Sequence, residues 1–273
     1  FLDMVGFSII FPLFPAMLDH YLFLERSMGG GMLSGFVIWV SGFGHDVLFS
    51  NSHFRLETVI FGGILGSLYA ILQFVFAPIW GGLSDRYGRK PVLMLTLAGT
   101  AVGYFLWIMA GDFWVLLLSR VVGGMAGGNI SVATASIADV TTREKRSKGM
   151  AFVGIAFGLG FVLGPALGGL ASEWDWSGSE LVFFGMHPFS AAATISFGLA
   201  MLNLIWLIWG FSETLPAENR SRSNSLRPAV CNMRKVTSPE ARRTCRPYLL
   251  YMVSVSGMEF TLTFLAVERF AFS

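Results

Sequence analysis

The sequence predicts an all-α integral membrane protein, and two features of composition and one of pattern carry that prediction. Of 273 residues, 54% are apolar and 13% charged, about half the charged fraction of an ordinary soluble domain. Mean hydropathy is +0.63. The apolar residues fall in runs of about 20, the length that crosses the hydrocarbon of a bilayer as a helix. No stretch alternates repeatedly with period two, as the strands of a transmembrane barrel do. The composition argues against a water-soluble enzyme, and a net charge of +2 suggests no nucleic-acid partner. The 32 glycines suit helices that approach one another closely in lipid.

Runs bounded by charge place spans near residues 1–18, 58–80, 91–110, 113–138, 149–171, 189–210 and 248–267. The first begins at Phe1 with no polar flank and is interrupted by Asp3 and two prolines. It lacks the basic segment and cleavage site of a signal peptide, so it is expected to stay in the membrane. Because the chain starts inside a span and stops at Ser273 just after the seventh, it reads as cut at both ends. Met32 to Phe43 is apolar but short and contains Gly35 and Gly42, so it is expected to fold over the outer face. Residues 213–247, rich in Arg, Ser, Pro and Asn, read as a flexible cytoplasmic linker whose positive charge also attracts anionic lipid. Cys231 and Cys245 lie in it, read as reduced thiols. The expected domains are a six-helix bundle over 1–212, this linker, and the first helix of a second, truncated bundle over 248–273.

Basic residues resist translocation and set orientation. Three lie between spans two and three (Arg86, Arg89, Lys90), four between spans four and five (Arg143, Lys145, Arg146, Lys148) and eight between spans six and seven. The alternate loops hold only Arg26 and Arg55. The fifteen therefore mark the cytoplasmic side, and the first span runs outward.

The most informative segment is the tight turn Gly81-Gly82-Leu83-Ser84-Asp85-Arg86-Tyr87-Gly88-Arg89-Lys90-Pro91. Gly88 permits the reversal, and a carboxylate at Asp85 can bind the neighbouring cations and helix N-termini. This segment resembles the signature G-x-L-x-D-R-x-G-R-K of the major facilitator superfamily at every fixed position. In span four, Arg120-Val121-Val122-Gly123-Gly124 resembles that family's R-x-x-x-G element. In span five, Gly160 to Gly169, GFVLGPALGG, resembles its antiporter element. There Gly160, Gly164 and Gly168 fall on one face for close helix contact, Gly169 completes the pattern, and Pro165 removes a backbone hydrogen bond and bends the helix. The finer resemblance is to the tetracycline-transporter-like drug and proton antiporters, and to a eukaryotic organic-anion carrier among them. It rests on Leu2 to Pro15, Tyr69 to Leu93, Ala135 to Asp139, Phe157 to Gly169, the sequence SETLP ending span six and GMEFTLTFL in span seven. The resemblance implies the amino-terminal six-helix bundle plus transmembrane helix 7 of a twelve-helix carrier. Bacterial tetracycline antiporters place an acidic residue before the tyrosine of span three. Here Gly103 precedes Tyr104, so tetracycline itself is not the expected substrate.

Ionisable groups at bilayer depth are costly and mark function. Asp3 and Arg120 are both placed inside spans, and Arg120 is expected to reach toward Asp3 and hold it ionised until substrate or a proton displaces the pairing. The competing reading is a permanent pair that fixes helix register. Glu259, midway along span seven with no basic neighbour in its helix, is a second proton-site candidate. Gln73, one turn after Tyr69, either contacts substrate or bonds a neighbouring helix; the resemblance favours substrate. Asn129 and Asn203 pose the same choice, with helix bonding favoured. Asp85, Arg89 and Asp139, with Gly81, Arg86, Gly88 and Lys90, resemble the charge cluster that latches the outward-facing state. No metal or cofactor is expected. His187 stands alone at the outer edge of span six, and paired aspartates, metal-ligand spacing and a nucleophile elbow are lacking, which disfavours an intramembrane hydrolase.

The expected function is secondary active transport by alternating access: proton-coupled antiport of organic anions or drug-like solutes, with a carboxy-terminal half completing the cavity. The alternative is a transporter-like receptor or scaffold that binds without moving its ligand.

Overall fold

The computed structural model describes residues 1–27, 56–142, 144–174 and 186–216, with single positions at 35, 218, 220, 243, 247, 250, 251, 254 and 258. Glu259, Arg55, Arg143 and, single positions apart, Met32–Phe43, the seventh span and most of the linker lie outside the described residues. Every regular element among the described residues is helical. Six helical segments are long and apolar enough to cross a membrane: Leu2–Glu25, Phe61–Tyr87, Arg89–Ile108, Phe113–Val140, Arg146–Ser172 and Ser190–Gly210. They correspond in order to the first six predicted spans.

The first span is longer than expected and is broken. Helix Leu2–Ser8 passes through a short 3₁₀ turn at Phe11–Leu13 into helix Phe14–Ser27. Pro12 and Pro15 have no N–H to continue the helical ladder. Pro15 is tolerated in the first turn of the second helix, where the amide has no intrahelical acceptor anyway. The fourth span is also interrupted, at a 3₁₀ turn over Gly127–Asn129 between helices Phe113–Ala126 and Ile130–Val140. The fifth, by contrast, runs unbroken as Arg146–Ser172 with Pro165 inside it.

Span three packs against spans four and six, the first helix against spans five and six, and span two against span four. The glycine stripe of span five is the contact with the first helix. A Cβ on Gly160 would lie 2.6 Å from the Met4 Cβ, one on Gly164 would meet Ser8 and come within 2.8 Å of the Val5 carbonyl oxygen, and one on Gly168 would meet the Ile9 carbonyl. Ser8 Oγ donates to the Gly160 carbonyl at 2.8 Å across this interface. A Cβ on Gly169 would meet no neighbouring atom within 4 Å, so that glycine takes no part in the contact. The main apolar core, including Ile9, Met17, Tyr21, Leu65, Trp107 and Leu116, draws chiefly on spans one to four and six, with Ala171 from span five. Spans two, five and six leave Phe74, Phe152, Val162, Trp206 and Trp209 exposed, as helices do that face lipid or a further bundle.

Candidate functional site

Polar groups concentrate at three levels along the bundle. At the basic end, Gly88 adopts φ +106°, a conformation that only glycine takes without strain, and the chain turns there from span two into span three. Arg89 is buried to 6% exposure. Its Nε donates to Asp139 Oδ2 at 2.9 Å, and its Nη1 lies 2.7 Å from Asp85 Oδ1 and 2.6 Å from Ser84 Oγ. Two carboxylates and a hydroxyl thus satisfy one buried guanidinium and join the 2–3 turn to the end of span four. Gly81 accepts from Ser84 Oγ at 2.8 Å. Arg86 sits over the exposed Tyr87 ring at 5.2 Å.

The sequence reading gave Asp85 the helix N-terminus, but another carboxylate occupies it. Glu213 accepts the backbone N–H of Arg89 at 2.8 Å and of Lys90 at 3.2 Å, while Lys90 Nζ donates to the Ile208 carbonyl at 2.9 Å. Glu213, at the start of the expected linker, folds back to cap span three. Burial alone would raise its pKa, but the N–H groups of Leu215, Arg89 and Lys90 and the nearby Arg220 charge outweigh this and hold it below the usual carboxylate range.

At the middle level, the expected contact between Arg120 and Asp3 is absent: no ion pair joins them among the described residues. Arg120, 5% exposed, lies over the Trp107 ring at 4.8 Å and bonds Ser119 Oγ at 3.3 Å. Asp3 instead accepts from Asn129 Nδ2 at 3.2 Å. The reason is depth. The first span extends to Glu25, which puts Asp3 farther from that end than the predicted boundary did. Nine residues along span four from Arg120, about 13 Å at helical rise, bring Asn129 level with it. Tyr69 and Tyr104, both buried, interact electrostatically with both Asp3 and Arg120. Tyr69 packs on Gly123, Gly124 and Gly127 of span four, and the Tyr104 hydroxyl packs on Gly6.

Gln73 Nε2 donates to the Gly127 carbonyl at 2.7 Å, so its amide group bonds a neighbouring helix; Asn203 makes no side-chain hydrogen bond among the described residues. Gly103 is a close-approach point: a Cβ there would lie 3.1 Å from the Gly123 backbone.

At the far end, His187 is not alone. It is 2% exposed, with its ring 6.4 Å from that of His20. Nδ1 accepts from the Phe189 amide at 3.2 Å, which leaves Nε2 to donate to the Trp107 carbonyl at 2.8 Å. Burial, against the hydrogen bond to Trp107 and with the nearby His20, lowers its pKa to about 4. No group of three His, Cys, Asp or Glu side chains suited to a metal occurs among the described residues.

Sequence reasoning missed Glu213, Ser84, Trp107 and Trp80. The signal for Glu213 was present in SETLP, but only the fold shows that span six ends beside the 2–3 turn. The family profile described as Major Facilitator Superfamily matches residues 1–273. The chain is 35% identical over its whole length to "Major facilitator superfamily domain-containing protein 10" of Mus musculus, covering 59% of that protein. It is 30% identical to "Tetracycline resistance protein, class E" of Escherichia coli over 88% of this chain and 49% of that one. A crystal structure of the human organic anion transporter MFSD10 (TETRAN) matches all of the chain and 64% of that chain, with TM-score 0.77 and 33% identity. The chain thus spans about six-tenths of the mouse relative's length.

Proposed function

The chain belongs to the major facilitator superfamily, a family of membrane transporters and not of enzymes, and on that premise we propose that it forms the amino-terminal half of a proton-coupled antiporter for organic anions or amphipathic drug-like solutes. One observation carries the substrate class. Arg120 is buried within a span with no carboxylate in ion-pair contact among the described residues, and a buried guanidinium without a counter-charge favours an anion. Trp107 beneath it and Tyr69 and Tyr104 beside it supply an aromatic wall for an organic body. Asp3, held by a neutral amide, is the proton site, with Glu259 of span seven as a second. Gln73 contributes its remaining amide oxygen to the cavity. The human organic anion transporter and the tetracycline resistance proteins among the relatives support the class.

In this reading the basic end is cytoplasmic, and the Arg89, Asp85 and Asp139 cluster latches the outward-facing state without touching substrate. Residues 1–212 form one rocking bundle, 213–247 the linker and 248–273 the start of the second bundle that completes the cavity. The test is uptake of a fluorescent organic anion into vesicles carrying the full-length protein, with and without an imposed pH gradient. Gradient-dependent accumulation that Asp3→Asn abolishes is expected. Unaltered coupling in Asp3→Asn removes Asp3 from the mechanism, and saturable binding without flux favours a receptor or scaffold.

A further inference from the structure

The group that faces Asp3 is delivered by the break in span four. A 3₁₀ turn disturbs the i to i−4 ladder and leaves carbonyls without their regular donors. Here two of them are met from span two: Trp80 Nε1 donates to the Met125 carbonyl at 2.6 Å and Gln73 Nε2 to the Gly127 carbonyl at 2.7 Å. Ser131 Oγ returns a bond to the Ala77 carbonyl at 2.9 Å. The backbones are so close that a Cβ on Gly128 would lie 2.8 Å from the Ala77 nitrogen. The break is therefore pinned to span two on both sides. Asn129, at its end and 5% exposed, is aimed at Asp3 Oδ2.

We infer that Asn129 is a positioning residue for proton exchange at Asp3, held in place by Gln73 and Trp80; this rests on the reading of Asp3 as the proton site. An arginine in contact would neutralise the carboxylate and compete with the proton. An amide N–H donates both to the carboxylate and to the carbonyl oxygen of the protonated acid. When hydronium gives a proton to Oδ1 and leaves as water, no bond of Asn129 breaks and Asp3 keeps its orientation. The donor still favours the ionised form, because hydrogen bonds to charged acceptors are the stronger ones. The other side chains acting on Asp3 are Tyr69 and Tyr104. Spans five and six face its helix with Gly160, Gly164 and Ser196, and no charge on them acts on Asp3 among the described residues.

The experiment is the pH profile of initial uptake by the full-length protein in vesicles from about pH 5 to 8. Asn129→Leu, which removes the donor, is expected to move the midpoint up by about one pH unit while the maximal rate stays within a few-fold. Asn129→Gln, which keeps an amide, restores the midpoint toward wild type. Gln73→Leu moves it in the same direction by less. If Asn129→Leu does not insert or fold, Trp80→Phe, which removes the bond to the Met125 carbonyl without touching the substrate contacts, decides the matter. Wild-type midpoints in the folded variants, with pH dependence lost in Asp3→Asn, overturn this inference alone. Wild-type pH dependence in Asp3→Asn overturns the proton-site reading and this inference with it.

Discussion

Glu213 and Gly88 make one coupled unit, and a double-mutant cycle exposes it. In Glu213→Ala, the N–H groups of Arg89 and Lys90 lose an acceptor that stands at 2.8 and 3.2 Å. Glu213 is exposed, so water partly replaces it. The loss is that of an ordinary helix N-cap, about 1 kcal/mol, plus a few tenths of a kcal/mol from the helix dipole. For a chain of this size that lowers Tm by about 2–4 °C per kcal/mol. Gly88→Ala carries two costs. An L side chain at φ +106° and ψ 160° lies in a region essentially reserved for glycine and is strained by about 1–3 kcal/mol, and its Cβ would collide with the Glu213 carboxylate, displacing the cap. On the Glu213→Ala background only the strain remains. The cycle should show a coupling of about 1 kcal/mol, the cap counted once, in thermal unfolding of the purified full-length protein in detergent. Fully additive losses would refute the capping role. The pH dependence has a fixed sign. Since the folded-state pKa of Glu213 lies below its ordinary 4.5, its stabilisation is complete above that value and fades as pH falls through the lowered one. Glu213→Gln should be less stable than wild type at neutral pH, and the gap should close in acid.

Two further outcomes follow from packing. His187 is neutral when folded with a pKa of about 4 against 6.5 ordinarily, so the unfolded chain takes up a proton first as pH falls. Stability is then lost between about pH 6.5 and 4, by up to about 3 kcal/mol, and thermal unfolding of His187→Gln should show a flatter pH dependence over that window; an equally steep profile would count against the assignment. Gly164→Ala, whose Cβ would overlap Ser8, should push the first helix off span five and cost about 1–3 kcal/mol. Gly169→Ala, with open space around it, is the neutral control, and equal Tm losses in the two would contradict the interface.

The spans were legible because their cause is local. A run such as Ser190–Gly210 must be helical in lipid whatever it packs against, since only a helix satisfies its own backbone there. The stripe Gly160, Gly164 and Gly168 was legible for the same reason: spacing alone puts the three on one face, and close contact follows. The Arg89 charge cluster was half legible. Arg89, Asp85 and Asp139 announced themselves by charge, whereas Glu213 stood among other polar residues with nothing local to single it out.

The sequence by itself determined the class, the six described spans, the glycine seam and the family, because hydropathy and short motifs act over one or two helical turns. Only the tertiary structure decided which charges meet. The break at Pro12 and the true length of the first span set Asp3 level with Asn129 and away from Arg120. The fold of span four around Trp107 gave that arginine an aromatic face in place of a carboxylate. Relative depth and rotation of helices are properties of their packing, and no window of sequence contains them.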